Sequence, residues 1–179
     1  MVTQAVLFLL ETVTGFLSAV LLLRFFMQVL RVSFSNQVGT FVVELTNWLV
    51  KPLRRVLPGM FGLDLASLLP AYLLQVIFVG AVFSLRPGMD DGSVEILPLL
   101  ILWRAALTTL RLGIHLLIGA LLVQAVLSWV RPYSPLSVPL SQLTRPFLRP
   151  IQRLLPPIGA IDLSPLVAIV LAQLLLIFL

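Results

Sequence analysis

Few side chains in this sequence could do chemistry, and most of them fall in two similar segments. Lys51, Arg54 and Arg55 precede Asp64, and Arg145, Arg149 and Arg153 precede Asp162. Clustered guanidinium and ammonium groups recognise phosphate and carboxylate oxygens. An aspartate shortly after them can cap the helix that follows, or brace a cation, with Arg55 and Arg153 the expected partners of Asp64 and Asp162. Inside long apolar runs lie Arg24 and Gln28 on one helix face, and further off Glu11 and Arg111. Arg24 either snorkels to headgroups or pairs with Asp64 or Asp162; Glu11 and Arg111 either pair across two spans or stand as separate interfacial charges. The lone His115 is expected to be packed or interfacial rather than a ligand. With no cysteine, one histidine, no nucleophile–base pair and no glycine-rich phosphate loop, neither a metal centre, a cofactor nor an enzyme is expected.

The rest of the composition says where these groups must sit. Of 179 residues, 60% are hydrophobic and 11% charged, against roughly 25% charged in a soluble domain. The chain is therefore expected to be an integral membrane protein. Its net charge of +5 is concentrated beside apolar runs, which suits anionic headgroups and the positive-inside rule rather than nucleic acid. Met1 to Gln4 contains no lysine or arginine, so the first apolar run is expected to stay as a span rather than leave as a signal peptide.

The elements read as follows. Apolar runs predict four transmembrane helices, at about 2–32, 65–85, 104–130 and 163–179. The last reaches Leu179 at the lower limit for a span, so a native chain running further is compatible with it. Trp103 and Trp129 are read as interfacial anchors, and 95–103, with Pro98 inside, as a short interfacial helix or a kinked extension. Ser33 to Asn36 is a break with capping residues. Val38, Phe41, Val42, Leu45 and Leu49 then recur at helical spacing, predicting an amphipathic helix in the interface plane. A basic, proline-bracketed elbow, 51–58, follows it, with a turn at Gly59 and Gly62. Residues 132–156 repeat the pattern.

At an offset of 98, Thr46, Arg55, Asp64 and Gln75 meet Thr144, Arg153, Asp162 and Gln173, among further leucine and proline matches; upstream the offset is 100, Arg31 meeting Arg131. The expected fold is all-α, with four spans as two tandem parallel repeats, 1–93 and 94–179, each with an amphipathic helix and basic elbow between its spans. The halves are expected to be related by a pseudo-twofold along the membrane normal. Charge places both basic loops in the cytoplasm, with the acidic loop around Asp90 and Asp91 and both termini outside.

Arg24-x-x-x-Gln28, then Lys51-Pro-Leu-Arg-Arg-Val-Leu-Pro58, then Leu63-Asp-Leu-Ala-Ser67 resembles the repeat of the YggT family. Thr144-Arg-Pro-Phe-Leu-Arg-Pro-Ile-Gln-Arg-Leu-Leu-Pro156 with Ile161-Asp-Leu-Ser164 resembles it again. The resemblance implies a bacterial inner-membrane protein with chloroplast relatives. It implies links to osmotic and potassium tolerance, cell division and, in chloroplasts, cytochrome complex assembly and nucleoid distribution, with no known catalytic activity. The expected function is a non-enzymatic scaffold or assembly factor whose partners are the bilayer and anionic lipid at the cytoplasmic face. The alternative is an ion or osmolyte channel, with Arg24, Gln28, Gln75, Gln124 and Gln173 along a polar path; four spans make a poor pore, so this reading requires a homo-oligomer.

Overall fold

The computed structural model describes residues 2–56, 64–85, 96–130, 134–154 and 162–179. They form six helices: α1 (Val2–Val29), α2 (Gln37–Val56), α3 (Leu65–Leu85), α4 (Leu97–Val130), α5 (Ser137–Leu154) and α6 (Ser164–Phe178). The calls on Gly59, Gly62, Asp90, Asp91 and Arg131, and on the side chain of Trp129, lie outside the described residues.

Helices α1, α3 and α4 are apolar around most of their circumference and long enough to cross a bilayer. Helix α6 is apolar too, but has 15 residues, or about 22 Å at 1.5 Å per residue, against about 30 Å of hydrocarbon. The expectation of four spans is therefore corrected to three. Asp162 and Leu163 stay outside the helix at one end and Leu179 at the other, and that shortens it below a span. Placing the C-terminus outside depended on a fourth crossing and loses its basis with it.

The turn from α1 into α2 is built by backbone chemistry. Val32 N–H donates to Met27 C=O (2.8 Å) and Arg31 N–H to Gln28 C=O (3.1 Å), the Schellman pattern that closes a helix. Its left-handed residue is Arg31, at φ 54°. The side-chain oxygen of Asn36 then accepts from Gly39 N–H at 2.8 Å, so Asn36 caps α2 as expected. Gly39 is required there: a Cβ would lie 2.5 Å from the Phe34 Cα.

Helices α2 and α5 are amphipathic, each with one face against the bundle. They also run further than expected. Lys51, Arg54 and Arg55 are on the last turns of α2, and Arg145, Arg149 and Arg153 are on α5, so most of each basic segment is helix rather than elbow. Pro52, Pro146 and Pro150 are exposed, which keeps the lost backbone bonds on the wet side of each helix. Helix α4 likewise runs unbroken through 97–103, because Pro98 is its second residue, where no intrahelical N–H bond is forfeited.

Four small cores hold the helices. Leu21 and Leu22 of α1 pack with Val50 of α2 and with Ala66 and Ala71 of α3; Leu121 of α4 packs with Leu148 of α5 and Ala168 of α6. Leu143 of α5 joins Val20, Met27 and Val42. The seam between α1–α3 and α4–α6 does not obey a twofold. The Phe26 ring packs on Gly113, where a Cβ would sit 3.2 Å from the ring tip, and the Tyr72 hydroxyl donates to Leu102 C=O at 3.0 Å. A twofold would require the matching contacts Val13–Val126 and Val170–Val2, yet those four side chains are between 54% and 79% exposed. The expected pseudo-twofold is thus replaced by an asymmetric seam.

Candidate functional site

The polar groups converge where α1, α2 and α3 meet. Arg24, one turn before Gln28 on α1, is 5% exposed. Its Nη1 donates to Thr46 Oγ1 (2.6 Å) and Asn47 Oδ1 (3.2 Å), and its Nη2 to Asn47 Oδ1 (3.3 Å). Thr46 can accept because its own proton goes to Val42 C=O at 2.6 Å. Among the described residues, Arg24 Nε is buried without a hydrogen-bond partner. The guanidinium therefore neither snorkels to the surface nor hydrogen-bonds a carboxylate; neutral oxygens of the amphipathic helix hold it.

Asp64 stands at the entrance of α3, and its C=O accepts the first helical bonds, from Ser67 N–H and Leu68 N–H. Its side chain does not cap the backbone. Oδ1 accepts from Arg54 Nε (3.3 Å), and Oδ2 from Arg54 Nη2 (2.7 Å) and from the Ser67 hydroxyl (2.6 Å). The fork is bidentate, and Arg54 Nη2 reaches on to Gln28 Oε1 at 2.9 Å. The brace is thus Arg54, not the expected Arg55. Arg54 is 46% exposed and Asp64 3%. Burial, the largest influence, pushes the Asp64 carboxyl up; bonds from Arg54 and Ser67, with the Arg54 and Arg24 charges, outweigh it together and hold the group below its ordinary 3.8.

The corresponding place among α4, α5 and α6 is built without paired charge. Gln124 replaces Arg24, and its amide is hydrogen-bonded to Thr144, whose hydroxyl also faces Leu140 C=O at 2.9 Å. Gln152 replaces Arg54, its Nε2 donating to Asp162 Oδ2 at 3.0 Å. Asp162 Oδ1 accepts from Ser164 N–H at 2.9 Å, as in an Asx turn. The expected Arg153 brace is replaced by Gln152. Burial raises the Asp162 carboxyl, but the bonds from Ser164 and Gln152 outweigh it and hold the group below 3.8.

Other expected residues stand apart. Glu11 and Arg111 are both exposed, and among the described residues Arg54–Asp64 is the one ion pair, so the Glu11–Arg111 pair does not form. His115 is exposed, its Nδ1 at 2.8 Å from Arg111 C=O. Lys51, Arg55, Arg145, Arg149 and Arg153 are exposed on the outer faces of α2 and α5. Among the described residues no cluster of three or more metal-ligating side chains occurs. Asn47, Ser67 and Gln152, and with them Thr46 and Thr144, are site residues that sequence reasoning left without a role; of these, the two threonines meet each other in the repeat. Their identity at the 98-residue offset was the available signal, since a threonine retained on a buried amphipathic face implies a hydrogen-bonding task.

The family model described as CCB3/YggT matches residues 3–85 and 103–179. Protein YggT of Escherichia coli (strain K12) is 45% identical over 166 residues, covering 92% of this chain and 83% of the relative. A relative from Pseudomonas aeruginosa is 36% identical over 167 residues (92% and 82%), and one from Vibrio alginolyticus, described by its place in the proC 3' region, 36% over 162 residues (89% and 85%). No solved structure matches the chain. With a family match over most of its length, three helices able to cross a bilayer and two basic amphipathic helices between its apolar ones, the chain belongs to the CCB3/YggT family and is a multi-pass membrane protein.

Proposed function

We propose that the protein is a non-enzymatic scaffold of the bacterial inner membrane, organising lipid or partner proteins at the cytoplasmic face through α2 and α5. One observation carries the reading: two amphipathic helices are packed on the bundle by their apolar faces, while Lys51, Arg55, Arg145, Arg149 and Arg153 line their outer faces and Arg54 braces Asp64. Crossings at α1, α3 and α4 put both helices on the same side, and the positive-inside rule makes that side cytoplasmic. Each basic residue near an anionic leaflet is worth about 1 kcal/mol of attraction. Hydrogen bonds from Arg24 to Thr46 and from Thr144 to Gln124 fasten the two helices to the bundle, which suits a fixed platform. The test is photocrosslinking in cells from residues placed at Lys51 and Arg149. Recurrent capture of a defined protein, or of a second copy, supports a scaffold; labelling of lipid alone from both positions rejects protein organisation.

A second reading is an oligomeric ion or osmolyte pathway. One feature favours it: a cavity of about 240 Å³ lined by Gln124, Ser128, Ser137 and Ser141, among others. Against it, Gln173 is exposed on α6 and Arg24 is bonded in place rather than facing a path. Potassium or sodium flux in vesicles containing the purified protein tests it, and absence of flux rejects it.

A further inference from the structure

A groove of about 480 Å³ lies between α1, α3, α4 and α5, within the roughly 300–1,000 Å³ of typical ligand sites. It lies at the asymmetric seam. Ala106, Gly113 and Ala120, seven residues apart on α4, help form its lining, and Phe26 and Leu68 wall it from α1 and α3. Its surface is almost wholly apolar, and the polar groups on it are already engaged. The Thr109 hydroxyl donates to Ala105 C=O at 2.8 Å and the Tyr72 hydroxyl to Leu102 C=O at 3.0 Å. Such a groove offers a polar ligand nothing to bond. Open to a bilayer, it accepts hydrocarbon, because an empty lining forfeits its dispersion contacts.

Helix α5 closes the groove with Leu143 and Phe147. The same helix carries Arg145, Arg149 and Arg153, all exposed, and no acidic residue between Ser137 and Leu154. An apolar slot ending on a cationic amphipathic helix has the polarity of one lipid molecule. We infer that the groove holds one acyl chain of an anionic phospholipid, with its headgroup on the arginines of α5. The headgroup half rests on the lipid-facing reading of α5 given above; the tail half rests on the groove alone.

The test uses the full chain in vesicles, with phosphatidylglycerol or phosphatidylcholine carrying a diazirine near the end of one acyl chain. Photolysis and peptide mapping locate the label. The expected result is labelling concentrated on the α4 segment around Gly113 and on α1 around Phe26, about thirtyfold stronger with phosphatidylglycerol if two arginines contribute fully. Ala120→Phe, which fills the slot, removes that labelling; Arg145→Gln with Arg149→Gln leaves it but abolishes the lipid preference. Groove labelling no stronger than that of the outward residues Phe16 and Leu174 overturns the tail site, and this wild-type comparison stands even where Ala120→Phe fails to fold. Equal labelling by both lipids overturns the headgroup half and leaves the tail half standing. Crosslinks joining two copies through the groove would overturn the inference by making another chain the occupant.

Discussion

The Asp64 carboxylate joins three elements through two side chains, with Arg54 from α2 and Gln28 of α1 behind it. Removing a buried acceptor leaves its donors unsatisfied, at about 1–3 kcal/mol, reduced here because Arg54 is half exposed and well solvated. Asp64→Asn is expected to lower stability by about 1–2 kcal/mol, and Asp162→Asn by less, since Asp162 is exposed and bonds neutral donors. Thermal unfolding in detergent checks this; equal losses at both sites would remove the distinction. The pH dependence has a definite sign. Asp64 is held below its ordinary 3.8, so its contribution is complete above that value and disappears as the pH falls through the depressed one. The Tm gap between wild type and Asp64→Asn should therefore be constant near neutrality and close below pH 3.8. At the α1 turn, Arg31 bears a left-handed backbone that costs a non-glycine residue about 1–2 kcal/mol. Arg31→Gly is expected to raise Tm, and an unchanged or lower value would mean that the arginine side chain earns its place.

At the scale of elements, helix α2 docks through Gly39, whose missing Cβ admits the Phe34 backbone. Gly39→Ala forces the two apart, a cost of about 1–3 kcal/mol for overpacking. Hydrogen exchange should show faster opening of α2 while α3 and α4 stay protected; uniform loss of protection would mean that α2 is no separate unit. The helices themselves were largely legible. Unbroken apolar runs specify α1, α3 and most of α4, and helical spacing specifies most of the apolar stripe of α2, Phe41 being exposed instead. What the sequence hid has physical causes. Proline reads as a break, but Pro52, Pro146 and Pro150 face outward and Pro98 begins its helix, so none ends one. Arg54 and Asp64 are ten residues apart on different elements, and the docking of α2 beside α3 presents Arg54 rather than its neighbour Arg55 to the carboxylate. The seam was hidden for a further reason: a repeat specifies packing within each unit, whereas packing between units depends on shape at single positions such as Gly113.

Among the described residues three helices are long and apolar enough to cross a membrane, so the entrances to α2 and α5 should report the same side. Fusions at Asn36 and Ser134 are expected to read as cytoplasmic, and one after Asp91 as external. A cytoplasmic reading after Asp91 would overturn the orientation. The same count of crossings bears on shape. By length, α1, α3 and α4 are expected to take up area in both leaflets, and α2, α5 and the short α6 mainly in one. A molecule broader in one leaflet than in the other is a wedge, and amphipathic helices lying in one interface are sensitive to curvature. A patch of such wedges would relax when the membrane bends away on the broad side, so the 15-residue length of α6 predicts enrichment of the protein in strongly curved vesicles over flat ones, and equal distribution across a vesicle-size series would refute it.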